Sequence, residues 1–126
     1  RAERVIAARA ADVVCLKLAA CGGFRSALRI ADRAHRAGLD LLLTSGLDAA
    51  VGRAAALQLA CVLPGRLPAC GLATARLLAA DLAPAERVEE GRMRLPAGPG
   101  LGIAVDRTAL ARLATGPCLE FGEAAA

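Results

Sequence analysis

Lys17 is the sole lysine of a 126-residue chain that places its fifteen other basic side-chain charges on arginine. An ammonium can lose its proton and act as a base or a compact point charge, whereas a guanidinium stays protonated. Lys17 closes the apolar run Val13-Val14-Cys15-Leu16 and stands a few residues ahead of Gly22-Gly23. A lysine left by chance on a surface loop would give the same composition, so the local pattern carries the argument. Two other short stretches share that pattern of apolar run followed by small polar turn. Thr44-Ser45-Gly46 follows Leu41-Leu42-Leu43, and Gly71-Leu72-Ala73-Thr74 follows Ala69-Cys70. Each leads towards a helical segment, where backbone N–H groups are suited to a carboxylate. One lysine flanked by two such turns suits an anionic substrate that loses a proton. Taken singly, the glycines also satisfy turn geometry, and Ser45 and Thr74 also suit helix capping.

Those positions need elements to hold them. Glu3 to Ala10 has helical character, and Val13 to Lys17 reads as a buried strand. From Phe24 to Ala37, the residues Phe24, Ala27, Leu28, Ala31 and Ala34 recur at helical spacing, with Arg25, Arg29, Arg33 and Arg36 on the other face. Gly38 stands where a helix terminates. Leu41 to Thr44 reads as a second buried strand. A helix from about Asp48 to Leu63 follows, interrupted in polarity only by Arg53 and Gln58, and it stops at Pro64-Gly65; Arg53, like the other arginines, is assigned to a solvated helical surface. Ala69 to Leu72 is a candidate third strand, with a helical turn through Leu78 to Asp81. Beyond Pro84 the chain reads as loop with short extended pieces, and Thr108 to Ala114 as a small helix. The order β-α-β-α-β-α, with continuous rather than alternating strand hydrophobicity, predicts parallel strands covered by helices. In that architecture function gathers at the carboxyl ends of the strands, where Lys17, Ser45-Gly46 and Gly71 fall.

Composition narrows the classes. Of the hydrophobic residues 32 are alanine, and only Phe24 and Phe121 are aromatic, so the core must form by close backbone approach. The net charge is +4, but the arginines are spread out and no aromatic-interleaved basic patch exists for stacking bases, which argues against nucleic acid. No apolar run approaches the length of a membrane span, and no secretory leader is visible. Five cysteines (Cys15, Cys21, Cys61, Cys70, Cys118) form no C-x-x-C pair, which suggests reduced thiols and a cytoplasmic setting. Asp12 and Asp40 precede strands and lie at the structural end. No carboxylate ends a strand, so no oxygen-ligand metal site is expected within the chain. His35, between Arg33 and Arg36, is expected on the solvated helix face. The chain opens in a helix without Met, and three β/α units do not close a sheet. It is therefore expected to be the C-terminal part of a larger protein.

The string Ala11-Asp12-Val13-Val14-Cys15-Leu16-Lys17, followed by Gly22-Gly23 and an Ala/Arg-rich helix, resembles the sixth-strand region of the enolase superfamily. The branch is that of muconate lactonizing enzymes and o-succinylbenzoate synthases. Thr44-Ser45-Gly46-Leu47-Asp48-Ala49-Ala50-Val51-Gly52 is similar to the seventh-strand S-S-x-L-E-T-S-V-G segment, with Asp48 for Glu and Ala49-Ala50 for Thr-Ser. Ala69-Cys70-Gly71-Leu72-Ala73-Thr74 with Leu77-Leu78-Ala79-Ala80-Asp81 is similar to the eighth-strand A-C-G-L-x-T and L-L-x-x-D. Gly91-Arg92-Met93-Arg94-Leu95-Pro96 and Pro99-Gly100-Leu101-Gly102 resemble the C-terminal segment.

The resemblance implies an α/β fold, the C-terminal part of a (β/α)7β TIM-like barrel. Strands six to eight would fall in residues 1–83, and a segment packing on the barrel and capping domain in 84–126. It implies a Mg²⁺-dependent lyase acting on a small carboxylate. The reaction would be dehydration of 2-succinyl-6-hydroxy-2,4-cyclohexadiene-1-carboxylate to o-succinylbenzoate in menaquinone biosynthesis. Lys17 would be the catalytic residue, as second acid/base or as a cation stabilising the enediolate, while Ser45, Gly46 and Gly71 would bind the succinyl part. The proton-abstracting K-x-K pair and the metal carboxylates would come from upstream strands, leaving the 126 residues inactive alone. Their unpaired strand edges would favour association, so a homo-oligomer is open. Other members of the branch (N-acylamino acid racemase, dipeptide epimerase, muconate cycloisomerase) and an inactive barrel remnant are the alternatives.

Overall fold

The computed structural model describes residues 2–117. Arg1, Cys118 and Phe121 lie outside the described residues. Helix α1 (Ala2–Ala7) leads to strand β1 (Val13–Leu16), a single turn α2 (Leu18–Cys21) and the long helix α3 (Phe24–Arg36). Strand β2 (Asp40–Leu43) and helix α4 (Ala50–Ala60) follow, then a 3₁₀ turn at Ala75–Leu77. A two-stranded hairpin, β3 (Val88–Glu89) and β4 (Arg92–Met93), and helix α5 (Arg107–Leu113) complete the described chain. The expected β-α-β-α order is present through α4, with boundaries within three residues of those read from the sequence, but the helical turn expected through Leu78 to Asp81 is a 3₁₀ turn ending at Leu77.

β1 and β2 pair in parallel with Val13 opposite Asp40 and Leu16 opposite Leu43. Val14, Leu16, Leu41 and Leu43 take one face of this pair. There Leu16, Leu41 and Leu43 are buried, in one core with Ala27, Ala31 and Ala34 of α3 and Ala56, Leu57 and Leu59 of α4. Three alanines one helical turn apart let α3 lie close on the sheet, which is how an alanine-rich chain fills its core. The opposite face, carrying Val13 and Cys15, is exposed. The expectation of strands covered on both sides is thus met on one side only within these residues. Phe24 and Leu28, assigned by periodicity to the apolar face of α3, are 39% and 37% exposed.

Two turns depend on glycine. Gly22 (φ 77°) ends α2, its N–H directed to Ala19 and Leu18 carbonyls, and Gly38 (φ 77°) follows α3 with its N–H on the His35 carbonyl at 3.0 Å. Both positions lie in the left-handed region that a side chain disfavours. His35 itself is exposed, as its place on the polar face predicts.

The third strand is reduced to one residue. Gly71 alone bridges Thr44, in parallel, with Gly71 N–H on the Leu43 carbonyl at 3.0 Å and Ser45 N–H on the Gly71 carbonyl at 2.9 Å. Pro68, which has no N–H to offer a ladder, stands just before it. Beyond Pro84, the Gly100 carbonyl accepts from Gln58 of α4 at 3.0 Å, and Met93 lies against the core.

Candidate functional site at the carboxyl ends of the parallel strands

Lys17 follows β1 directly with extended backbone (φ −125°, ψ 116°). Side-chain alternation then sends it to the face opposite buried Leu16, the face of Cys15. Lys17 is exposed. With Cys15, Ala20, Cys21 and Ile30 it lines an open groove of about 620 Å³. The register that sets Leu16 against Leu43 brings Lys17 level with Thr44, whose N–H reaches the Leu16 carbonyl at 2.9 Å. Thr44 in turn bridges Gly71. Lys17, the 44–46 turn and Gly71 therefore occupy three adjacent strand ends. Thr44 Oγ1 also lies 3.5 Å from Cys15 Sγ.

Ser45 is 8% exposed. Its hydroxyl donates to the Gly71 carbonyl at 3.2 Å and meets Thr74 Oγ1 at 3.0 Å. The two hydroxyls thus join the second strand end to the third, and neither caps a helix: α4 has Ala49 at its N-cap, and Thr74 makes no side-chain cap to the turn it precedes. The amides at this turn are also engaged. Ser45 N–H goes to Gly71, and Gly46 N–H donates to Asp48 Oδ2 at 2.9 Å. At the start of α4, Ala50 N–H donates to Asp81 Oδ1 at 2.7 Å. Two amides of the turn, those of Ser45 and Gly46, are thus taken within the chain. A Cβ on Gly71 would stand 3.1 Å from Thr44 Cγ2, whereas one on Gly46 would meet nothing nearer than 3.6 Å, an ordinary contact.

Arg53 is the residue that sequence reasoning missed. Assigned to the solvated surface, its side chain is instead fully buried. Nη1 donates to the Asp48 carbonyl at 2.7 Å, Nη2 to Asp81 Oδ2 at 2.6 Å, and Nε to both Glu86 oxygens at 3.0 Å. The signal lay in the spacing, since Ala50, Arg53, Ala54 and Leu57 fall at i, i+3, i+4 and i+7 on the core-facing stripe. Burial alone would lower the Arg53 pKa, but the hydrogen bonds to Glu86 and Asp81, with their charges, raise it. Burial likewise pushes Asp81 up, yet the Ala50 and Leu82 amides and Arg53 hold it below the ordinary carboxylate range. A buried guanidinium meeting two carboxylates and a carbonyl meets the requirement that an interior charge be paired and hydrogen-bonded.

Among the described residues no group of three His, Cys, Asp or Glu side chains stands where it could hold a metal ion. Asp81 and Glu86 are taken by Arg53, and one Asp48 oxygen by Gly46. These described residues do not fit a Mg²⁺ site. Cys15, Cys21, Cys61 and Cys70 are free thiols. No described helix is long and apolar enough to cross a membrane.

Residues 1–109 match the enolase C-terminal domain-like family. The chain is 49% identical over 79 residues to an o-succinylbenzoate synthase of Thermobifida fusca, covering 63% of this chain and 24% of that protein. It is 39% identical over 113 residues to the o-succinylbenzoate synthase of Mycobacterium leprae, covering 90% and 31%. A chloromuconate cycloisomerase of Cupriavidus pinatubonensis is 36% identical over 115 residues, again 90% and 31%. Among solved structures, the muconate lactonizing enzyme of Pseudomonas putida superposes with a TM-score of 0.79 at 30% identity, over 88% of this chain and 31% of that one. A Mg-complexed dipeptide epimerase of Methylococcus capsulatus gives 0.74 at 34% identity, over 83% and 31%. The chain spans a quarter to a third of the length of these curated relatives. With the match over residues 1–109 and the parallel β/α order on which Lys17, Ser45 and Gly71 sit, the chain belongs to the enolase C-terminal domain-like family.

Proposed function

We propose that the chain is a segment of an o-succinylbenzoate synthase, a lyase that removes water from a cyclohexadiene carboxylate. In this reading residues 1–83 carry the sixth to eighth strands of a (β/α)7β barrel, and residues 84–126 pack on the barrel and its capping domain. The observation that carries it is the alignment of Lys17, the 44–46 turn and Gly71 at adjacent strand ends. The 49% identity to a synthase over 79 residues supports it. Lys17 acts as the second acid/base, or as the cation that meets negative charge developing on the substrate carboxylate once the α-proton has left. Ser45, Gly46 and Gly71 line the succinyl end, the glycines by leaving room and the Ser45 hydroxyl by fixing the turn. The proton-abstracting base and the Mg²⁺ ligands are supplied by strands outside these residues, so residues 1–126 alone do not turn over. The free thiols of Cys15, Cys21, Cys61 and Cys70 go with a cytoplasmic setting.

The test is the complete gene product assayed with 2-succinyl-6-hydroxy-2,4-cyclohexadiene-1-carboxylate. Formation of o-succinylbenzoate is expected, and its absence from a folded, Mg²⁺-supplied protein would sink the reading. A cycloisomerase or epimerase activity is the second reading, favoured by the cycloisomerase match of nearly equal extent and identity. Exchange of the substrate α-hydrogen with solvent separates epimerase from synthase. An epimerase exchanges from both faces of the carbon, a synthase from one.

A further inference from the structure

We propose that Arg53 is a positioning residue for the 45–49 turn, holding Ser45 and Gly46 in the place from which they shape the pocket. The proposal rests on the pocket role given to that turn above. Three observations carry it.

First, Arg53 does more than pair charges. Nε and Nη2 engage Glu86 and Asp81, but Nη1 is directed to the backbone carbonyl of Asp48, inside the turn itself. Second, the turn is fixed at its other end by Ser45, which bonds Gly71 and Thr74. Third, Asp48 stands between these anchors. Its carboxylate accepts from Gly46 N–H, and its Cβ lies 3.0 Å from where a Cβ on Gly52 would stand. Asp81 accepts from Ala50 N–H through its second oxygen, so one carboxylate fixes both the helix start and the guanidinium. The turn thus has little freedom relative to α4 and to the third strand end. Ser45 and Gly46 line the succinyl end and not the reacting carbon, so displacing them weakens substrate binding and leaves turnover of bound substrate largely intact. Lys17 sits on a different strand end and touches none of these groups.

A plain deletion would confound two effects, because removing the guanidinium leaves two carboxylates facing each other in the interior. The informative variant neutralises the cluster as a whole: Arg53→Met with Asp81→Asn and Glu86→Gln. It removes the unpaired charge while losing the contact to the Asp48 carbonyl. In the complete protein we expect near-normal melting temperature, KM raised about 10-fold or more, and kcat within about 3-fold. A cluster serving the fold alone would recover KM along with stability, and that result overturns the proposal. Should the triple variant not fold, Arg53→Lys serves, since one ammonium cannot replace three directed nitrogens. The same rise in KM is expected from it, and an unchanged KM refutes the proposal.

Amide hydrogen exchange at residues 44–49 needs no substrate and separates this proposal from the functional one. Faster exchange in the variants, in a protein without synthase activity, keeps the positioning role and removes the assigned reaction. Unchanged exchange and unchanged KM, in a protein with synthase activity, do the reverse.

Discussion

Replacing Gly52 by alanine sets two effects against each other, and the structure decides between them. Gly52 lies in the first turn of α4 (Ala50–Ala60), where alanine should favour the helix by up to about 1 kcal/mol. The new methyl, however, would stand 3.0 Å from Asp48 Cβ, inside ordinary carbon–carbon contact, and 3.5 Å from its carboxyl carbon. Whether the change costs stability depends on whether Asp48 can retreat. It is pinned on two sides, by Gly46 N–H on its carboxylate at 2.9 Å and by Arg53 Nη1 on its carbonyl at 2.7 Å. Overpacking against a fixed neighbour costs about 1–3 kcal/mol, which outweighs the helix gain. Gly52→Ala is therefore expected to lose about 1 kcal/mol, seen as a lower urea midpoint with unchanged slope in the complete protein. A higher midpoint would mean that Asp48 moves freely and that the 45–49 turn is not held as described.

Further outcomes follow from the same packing. Leu59→Ala, at a fully buried side chain, should cost about 2–5 kcal/mol in denaturant unfolding, and a change under about 1 kcal/mol would show that α4 does not seat in the core. Asp81, held below the usual carboxylate range, contributes stability present in full above about pH 3.9, its ordinary value. That contribution is lost as pH falls through the depressed native value. Asp81→Asn should therefore destabilise the protein at pH 7 and reduce the drop in stability on acidification, measured as melting temperature from pH 7 to 3. An acid limb identical to that of the parent would exclude Asp81 as a contributor.

The first two strands and the long helix between them were legible because their signals are local. Val13–Leu16 and Leu41–Leu43 are uninterrupted apolar runs, and Ala27, Ala31 and Ala34 repeat at one face of a charged helix. What sequence could not supply was the company each element keeps. Ala69–Leu72 reads as a strand, but after Pro68 only Gly71 finds a partner in β2. Ser45 reads as a cap or a ligand, yet its hydroxyl is taken by Gly71 and Thr74 from 26 and 29 residues away. Arg53 illustrates the hardest case. Composition suggests a solvated arginine, while its partners Asp81 and Glu86 are 28 and 33 residues distant. Only its place on the core stripe of α4 marks it. Lys17 was legible for the opposite reason: its type is unique in the chain and its position at a strand end follows from local hydrophobicity alone.

On the proposed reading, Lys17 carries chemistry at the strand end. That role is tested most directly by turnover of Lys17→Ala in the complete protein, with melting temperature measured on the same sample. Loss of at least about 10²-fold in dehydration rate with an unchanged melting temperature is predicted, the scale of a removed acid/base group. Lys17→Arg should fail too where Lys17 is the second acid/base, because a larger, permanently protonated guanidinium cannot share a proton, and should keep part of the rate where Lys17 acts only as a cation. Near-parental turnover by the alanine variant would contradict the account.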